Sequence, residues 1–163
     1  MKTGFGRNAK ALLSYLYKTK KYDIVHYCCG TASNDSKLPS TPWKSIGTIP
    51  ENYPTNSNPE QTRITSYGAD LIDNVIREEK PDVFIACQDI WGVDFATEKV
   101  WFNEITSAIW TTLDSLPLLP TAIKCAKKIK NYWVWSNFAE KELKRLGYNH
   151  IKTVHGCIDH SSF

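Results

Sequence analysis

A carboxylate and an indole stand two residues apart just past a short apolar run. The run is DVFIAC at 82–87, and Asp89 and Trp91 follow it. A run this short, apolar on both alternating faces and preceded by Pro81, predicts a central strand of a parallel sheet. Ligands of open parallel sheets bind at the carboxyl ends of the strands, so this pair falls where pockets form. A carboxylate accepts hydrogen bonds from hydroxyl groups, and an indole offers a flat apolar face to the C–H side of a sugar ring. The competing reading makes Asp89 a helix cap and Trp91 a core residue. Asp114 closes a second predicted strand at 107–113, although Leu116-Pro117 beside it would equally make it a turn residue. Gly4-Phe5-Gly6 reads as a loop opening a helix, where backbone N–H groups can approach a phosphate or a sugar, with Arg7 able to clamp an anion. A bare G-x-G is weakly specific and equally describes a tight turn. His155-Gly156 follows the last predicted strand and suits either a site or an interdomain hinge contact. His26 lies inside a predicted strand and reads as structural. No Ser-His-Asp order, zinc signature, Walker loop or Glu-x-x-His pattern occurs.

These residues need elements to bring them together, and the periodicity supplies them. Ala11, Leu12, Tyr15 and Leu16 predict a helix over 8–20, and the apolar run that follows predicts a strand over 22–29. Residues 31–61 hold five prolines and many Ser, Thr and Asn, which predicts a long loop with one short strand at 46–49. Ala69, Leu71, Ile72, Val75 and Ile76 predict an amphipathic helix starting near Ile64 and ending near Glu79, where Pro81 blocks it. Helices follow at 97–103, 120–129 and 137–146, the last capped by Ser136 and stopped by Gly147. Strands are expected at 132–135 and 151–154. Strands alternating with helices predict an α/β, Rossmann-like, mostly parallel sheet with helices on both faces. The glycine loop has only Met1 and Lys2 before it, so the first strand of such a fold is expected to be missing.

Composition narrows the function classes. An apolar fraction of 42% over 163 residues supports one domain with a proper core. A net charge of +3 gives no clear nucleic-acid or membrane signal, and Lys124, Lys127, Lys128 and Lys130 read as a solvated helix end. The cysteine count, five, is odd and includes no C-x-x-C pair, so a metal or disulfide framework has no support. The absence of a signal-type apolar segment makes the cytoplasm the expected location.

Four segments together resemble the N-terminal domain of the family-4 group of retaining glycosyltransferases, which have the two-domain GT-B fold. They are Thr3-Gly4-Phe5-Gly6-Arg7; Lys80-Pro81-Asp82-Val83 continuing to Asp89-Ile90-Trp91; Val134-Trp135-Ser136-Asn137-Phe138-Ala139 with Leu143 and Gly147; and Val154-His155-Gly156-Cys157-Ile158-Asp159 with Phe163. Their order and spacing span nearly the whole chain. The resemblance implies sugar transfer from a nucleotide-sugar donor to an acceptor, with residues 1–163 as a single acceptor-side domain. It implies that the donor-binding C-terminal domain is absent from this sequence and that the chain is inactive alone. It places Gly4, Phe5, Gly6, Arg7, Asp89, Trp91, Asp114, His155 and Gly156 around an acceptor/donor cleft. It assigns no metal or cofactor, and it expects a partner strand or the missing domain to complete the molecule. Many members have a histidine after the strand equivalent to 82–87, where this chain has Gln88-Asp89, so no catalytic histidine is assigned. A non-catalytic carbohydrate-binding module is the alternative. A Rossmann-type oxidoreductase ranks last, because Ala9 stands where a third glycine belongs and Asp23 begins a strand.

Overall fold

Pro59, Gly68, Pro120, Ser136 and Gly147 each mark a helix boundary. The computed structural model describes residues 3–54 and 58–157. The chain runs α1 (Gly4–Thr19), β1 (Val25–Ala32), β2 (Lys44–Ile49), α2 (Pro59–Tyr67), α3 (Ile72–Glu79), β3 (Val83–Cys87), α4 (Ile90–Val93), α5 (Trp101–Glu104), β4 (Thr106–Thr111), α6 (Pro120–Ala126), β5 (Asn131–Val134), α7 (Asn137–Arg145) and β6 (Lys152–Thr153). All strand pairs are parallel, which makes the fold α/β and Rossmann-like. The strands form two sheets, β1-β2 and β3-β4-β5-β6. The chain divides into two compact units, a larger one of Met1–Leu12 with Pro81–Phe163 and a smaller one of Leu13–Lys80.

In the larger unit the four-stranded sheet carries the core. Ala108, Ile109 and Trp110 of β4 and Tyr132 and Val134 of β5 are buried, and Ala122, Cys125 and Ala126 of α6 are buried with them. In α7, Ala139 and Leu143 are four apart and both buried, as one face of an amphipathic helix requires. Ser136 Oγ accepts from the Ala139 amide at 3.3 Å, capping α7 as expected. Gly147 has φ +94° and the helix ends in a Schellman arrangement, with Gly147 N donating to Lys144 O and Tyr148 N to Leu143 O.

In the smaller unit, β1 and β2 are in register from Val25↔Lys44 to Cys28↔Gly47 and then shift to Ala32↔Ile49. The shift sits at Gly30, which has φ +67° and donates its amide to Thr48 Oγ1 at 3.0 Å. Thr48, fully buried, also donates to Ser66 O at 2.8 Å and so joins β2 to α2. Tyr27 donates to Gly68 O at 2.9 Å, fixing the turn after α2.

Several expectations change. The Thr3–Arg7 segment expected as a loop is the start of α1, because Thr3 supplies the cap: Gly6 N donates to Thr3 Oγ1 and Arg7 N to Thr3 O. The helix expected to run to Glu79 from Ile64 is two helices, split where Gly68 adopts φ +94° and closes α2. The helix expected at 97–103 is replaced by two short turns, since Lys99 is extended between a 3₁₀ turn at Asp94–Glu98 and α5. The apolar run at 82–87, expected to be a central strand, is an end strand of its sheet, with Val83 54% and Ile85 38% exposed. Among the described residues no strand precedes α1. Ile158, Asp159 and Phe163 lie outside the described residues.

Candidate functional site

Parallel register aligns the strand ends of the larger unit on one edge. Cys87 pairs with Trp110, Thr111 with Val134, and Val134 with Thr153. The segments that follow leave the sheet on its carboxyl side, carrying Asp89, Asp114, Trp135 and His155.

Asp89 stands at the N-cap position of α4 and makes no side-chain cap bond. Its amide instead donates to Gln88 Oε1 at 3.1 Å, and its carbonyl accepts from Gly92 N at 3.0 Å. The capping reading therefore fails for its side chain. Burial raises its pKa above the ordinary aspartate value, and the charge of Asp114 raises it further. Trp91 is 39% exposed, while Ile90, Gly92 and Val93 of the same turn are buried. The indole is the outward residue of α4, against the reading that makes it core. Asp114 is exposed and precedes a bend that contains the cis Leu116-Pro117 peptide.

The start of α1 reaches the same edge. The Phe5 ring lies 4.9 Å from that of Trp135, tilted 57°, and Trp135 in turn lies 5.9 Å from Trp110. Nothing lies within 4 Å of where a Cβ at Gly4 would point, so the backbone there is open to approach. Gly6 is half-buried in the first turn. Arg7 is exposed and makes no ion pair among the described residues. His155 places Nδ1 3.0 Å from Trp135 O. A carbonyl only accepts, so Nδ1 carries the proton and Nε2 of the neutral ring is left as an acceptor. A Cβ at Gly156 would sit 3.4 Å from Asn8 Oδ1 and 3.7 Å from the Trp135 ring, ordinary contact distances that place this glycine against both residues.

Asn8, Trp110 and Trp135 were missed by sequence reasoning. Asn8 is 4% exposed. Its Nδ2 donates to Cys87 Sγ at 3.4 Å and its Oδ1 accepts from Cys157 N, so one carboxamide ties α1 to the end of β3 and to the loop after β6. The available signal was a poor helix former placed inside the first helical turns. Trp110 Nε1 donates to Val154 O at 2.7 Å and holds the segment that presents His155.

Two other features have less to offer. His26 Nδ1 and Cys28 Sγ of β1 are 3.3 Å apart. Burial lowers the histidine pKa and raises that of the thiol, so the pair stays neutral and supplies no thiolate nucleophile. A cavity of about 250 Å³ opens at the amino edge of the four-stranded sheet, beside Glu104, Thr106, Lys130 and Asn131. Its lining includes neither Asp89 and Asp114 nor Trp91, Trp135 and His155. Among the described residues no group of three His, Cys, Asp or Glu side chains is placed to hold a metal ion.

The class defined by this geometry is a Rossmann-like α/β protein with Asp89, Trp91, Asp114, Trp135 and His155 following the carboxyl ends of a parallel sheet. No protein-family model, curated protein or solved structure matches the chain.

Proposed function

We propose that this chain is the acceptor-side domain of a glycosyltransferase, binding a polyhydroxyl acceptor at the carboxyl edge of β3-β4-β5-β6. The observation that carries the reading is Asp89. It is a half-buried carboxylate at a strand exit, unused as a cap, raised in pKa by burial and by the charge of Asp114, and followed by an outward indole. That set matches the needs of a sugar: acceptors for hydroxyl hydrogens and a flat apolar face. In this reading Asp89 and Asp114 orient the acceptor, Trp91 packs on its ring, and His155 Nε2 accepts a further hydroxyl hydrogen. The open backbone at Gly4 and the first turn of α1 lie nearest the donor phosphates, which a second domain binds.

Calorimetric titration with nucleotide sugars and with simple saccharides, alongside a thermal melt, tests this. Saccharide binding is expected without micromolar donor binding, in a chain that melts cooperatively. Trp91→Ala is expected to weaken saccharide binding about tenfold, the loss of one aromatic contact of about 1.4 kcal/mol. Micromolar binding of a nucleotide sugar would place the donor site within these residues and sink the acceptor-domain reading. Saccharide affinity unchanged in both Asp89→Ala and Trp91→Ala would remove the site assignment.

A further inference from the structure

The smaller unit holds a concentration of positive charge that the dispersed net charge conceals. Helix α1 contains no acidic residue, and Lys18, Lys20 and Lys21 crowd its end with Asp23 as the nearest carboxylate in sequence. The turn that displays them is fixed. Thr19 Oγ1 donates to Leu16 O at 2.6 Å and accepts from Lys21 N at 3.4 Å, and Lys20 N donates to Tyr17 O at 3.1 Å. Lys20 adopts φ +55°, the left-handed conformation in which helices commonly end, and Lys80 closes α3 in the same way.

Tyr17, Lys18, Lys20, Lys21, Tyr22 and Asp23 line an open concavity of about 660 Å³. That is within the range of small-molecule sites. All three lysines are exposed, as are Tyr17 and Tyr22. Elsewhere Lys44, Lys124, Lys128 and Lys144 each pair with a glutamate. Among the described residues Lys18, Lys20 and Lys21 make no ion pair, so three like charges share one concavity with a single carboxylate in its lining. Part of that charge complements the carboxyl end of α1. A helix end of about half a negative charge leaves most of three positive charges uncompensated, a deficit that a multiply charged anion fills.

We propose that this concavity binds a phosphate-bearing anion, with the three ammonium groups neutralising the phosphate oxygens and the Tyr17 and Tyr22 hydroxyls hydrogen-bonding to it. The proposal is independent of the carboxyl-edge site. The chemistry is shared by a soluble polyphosphate compound and by a phospholipid headgroup, and the test separates them.

The ¹⁵N-labelled chain is titrated with inorganic tripolyphosphate at low ionic strength, and separately sedimented with phosphatidylcholine vesicles with and without phosphatidic acid. Saturable amide shifts confined to 17–23, weakened by added salt, are expected. The Lys18→Gln/Lys20→Gln/Lys21→Gln variant is expected to lose on the order of a hundredfold in affinity, at about 1 kcal/mol per lysine, with an unchanged thermal melt. Binding of tripolyphosphate alone assigns a soluble ligand, and co-sedimentation with phosphatidic acid that the variant abolishes assigns a headgroup. The proposal is overturned if neither probe binds, if the triple variant keeps its affinity, or if the shifts fall equally on Lys127 and Lys130.

Discussion

At the scale of single residues, Asp89 is held at a cost to stability. Its folded-state pKa is raised, first by burial and then by Asp114, from an ordinary value of 3.8. Below that ordinary value both folded and unfolded states hold the proton and the group is neutral in effect. Between it and the higher folded-state pKa the folded state binds more protons, so stability falls as pH rises, and the penalty is complete above the folded-state pKa. Asp89→Asn is therefore expected to stabilise the chain at neutral pH and to leave it unchanged at pH 3, measured by urea unfolding at both. A carboxylate whose removal improves folding while weakening saccharide binding is one retained for binding. Equal destabilisation at both pH values would return Asp89 to a structural role. Asn8 is the contrasting case, because both ends of its carboxamide are used in joining α1, β3 and the β6 loop.

At the scale of elements, β6 is only two residues long, pairs with β5 and is tied to α7 as well. Glu140 makes the link. Its Oε1 accepts from Lys144 Nζ and its Oε2 from the Thr153 amide, each at 2.6 Å. Lys144 first and Thr153 second bring the Glu140 pKa down to about 2 from an ordinary 4.5. A carboxylate with a depressed folded-state pKa contributes stability that is full above its unfolded value and is lost as pH falls toward the folded one. Glu140→Gln is expected to destabilise the chain at pH 6 and to have a shrinking effect from pH 4.5 down to about 2. Thermal melts across that range read the difference, and a pH-independent effect would show that the charge is not what holds β6. The same strand leads to His155, so the variant is also expected to shift the His155 ring signals.

At the scale of the whole molecule, burial is unequal between the units. Of the fully buried apolar side chains among the described residues, only Ile72 belongs to the smaller unit, whose other buried side chains are Thr48 and Thr65. Hydrogen-bonded threonines hold a sheet together with less apolar burial, and regions poor in such contacts open at lower free energy. Native-state hydrogen exchange is expected to be slowest at Ile109, Trp110, Tyr132 and Val134 and distinctly faster in β1 and β2. Equal protection would mean that the smaller unit opens only with the larger. The sequence by itself determined the alternation of helices and parallel strands, the Ser136 cap, the Gly147 stop and the strand-end address of Asp89, Trp91, Asp114 and His155. Each of these is local: a cap needs one hydroxyl, a stop one permissive glycine, and a strand one apolar run. The tertiary structure alone decided that the strands divide into two sheets and that β3 is an end strand, since an apolar run fits a central or an end position equally well. It alone brought Asn8 to Cys87 and Cys157, and Phe5 to Trp135, because contacts between residues 79 or more positions apart depend on how strands pair, and pairing leaves no periodic trace in the chain.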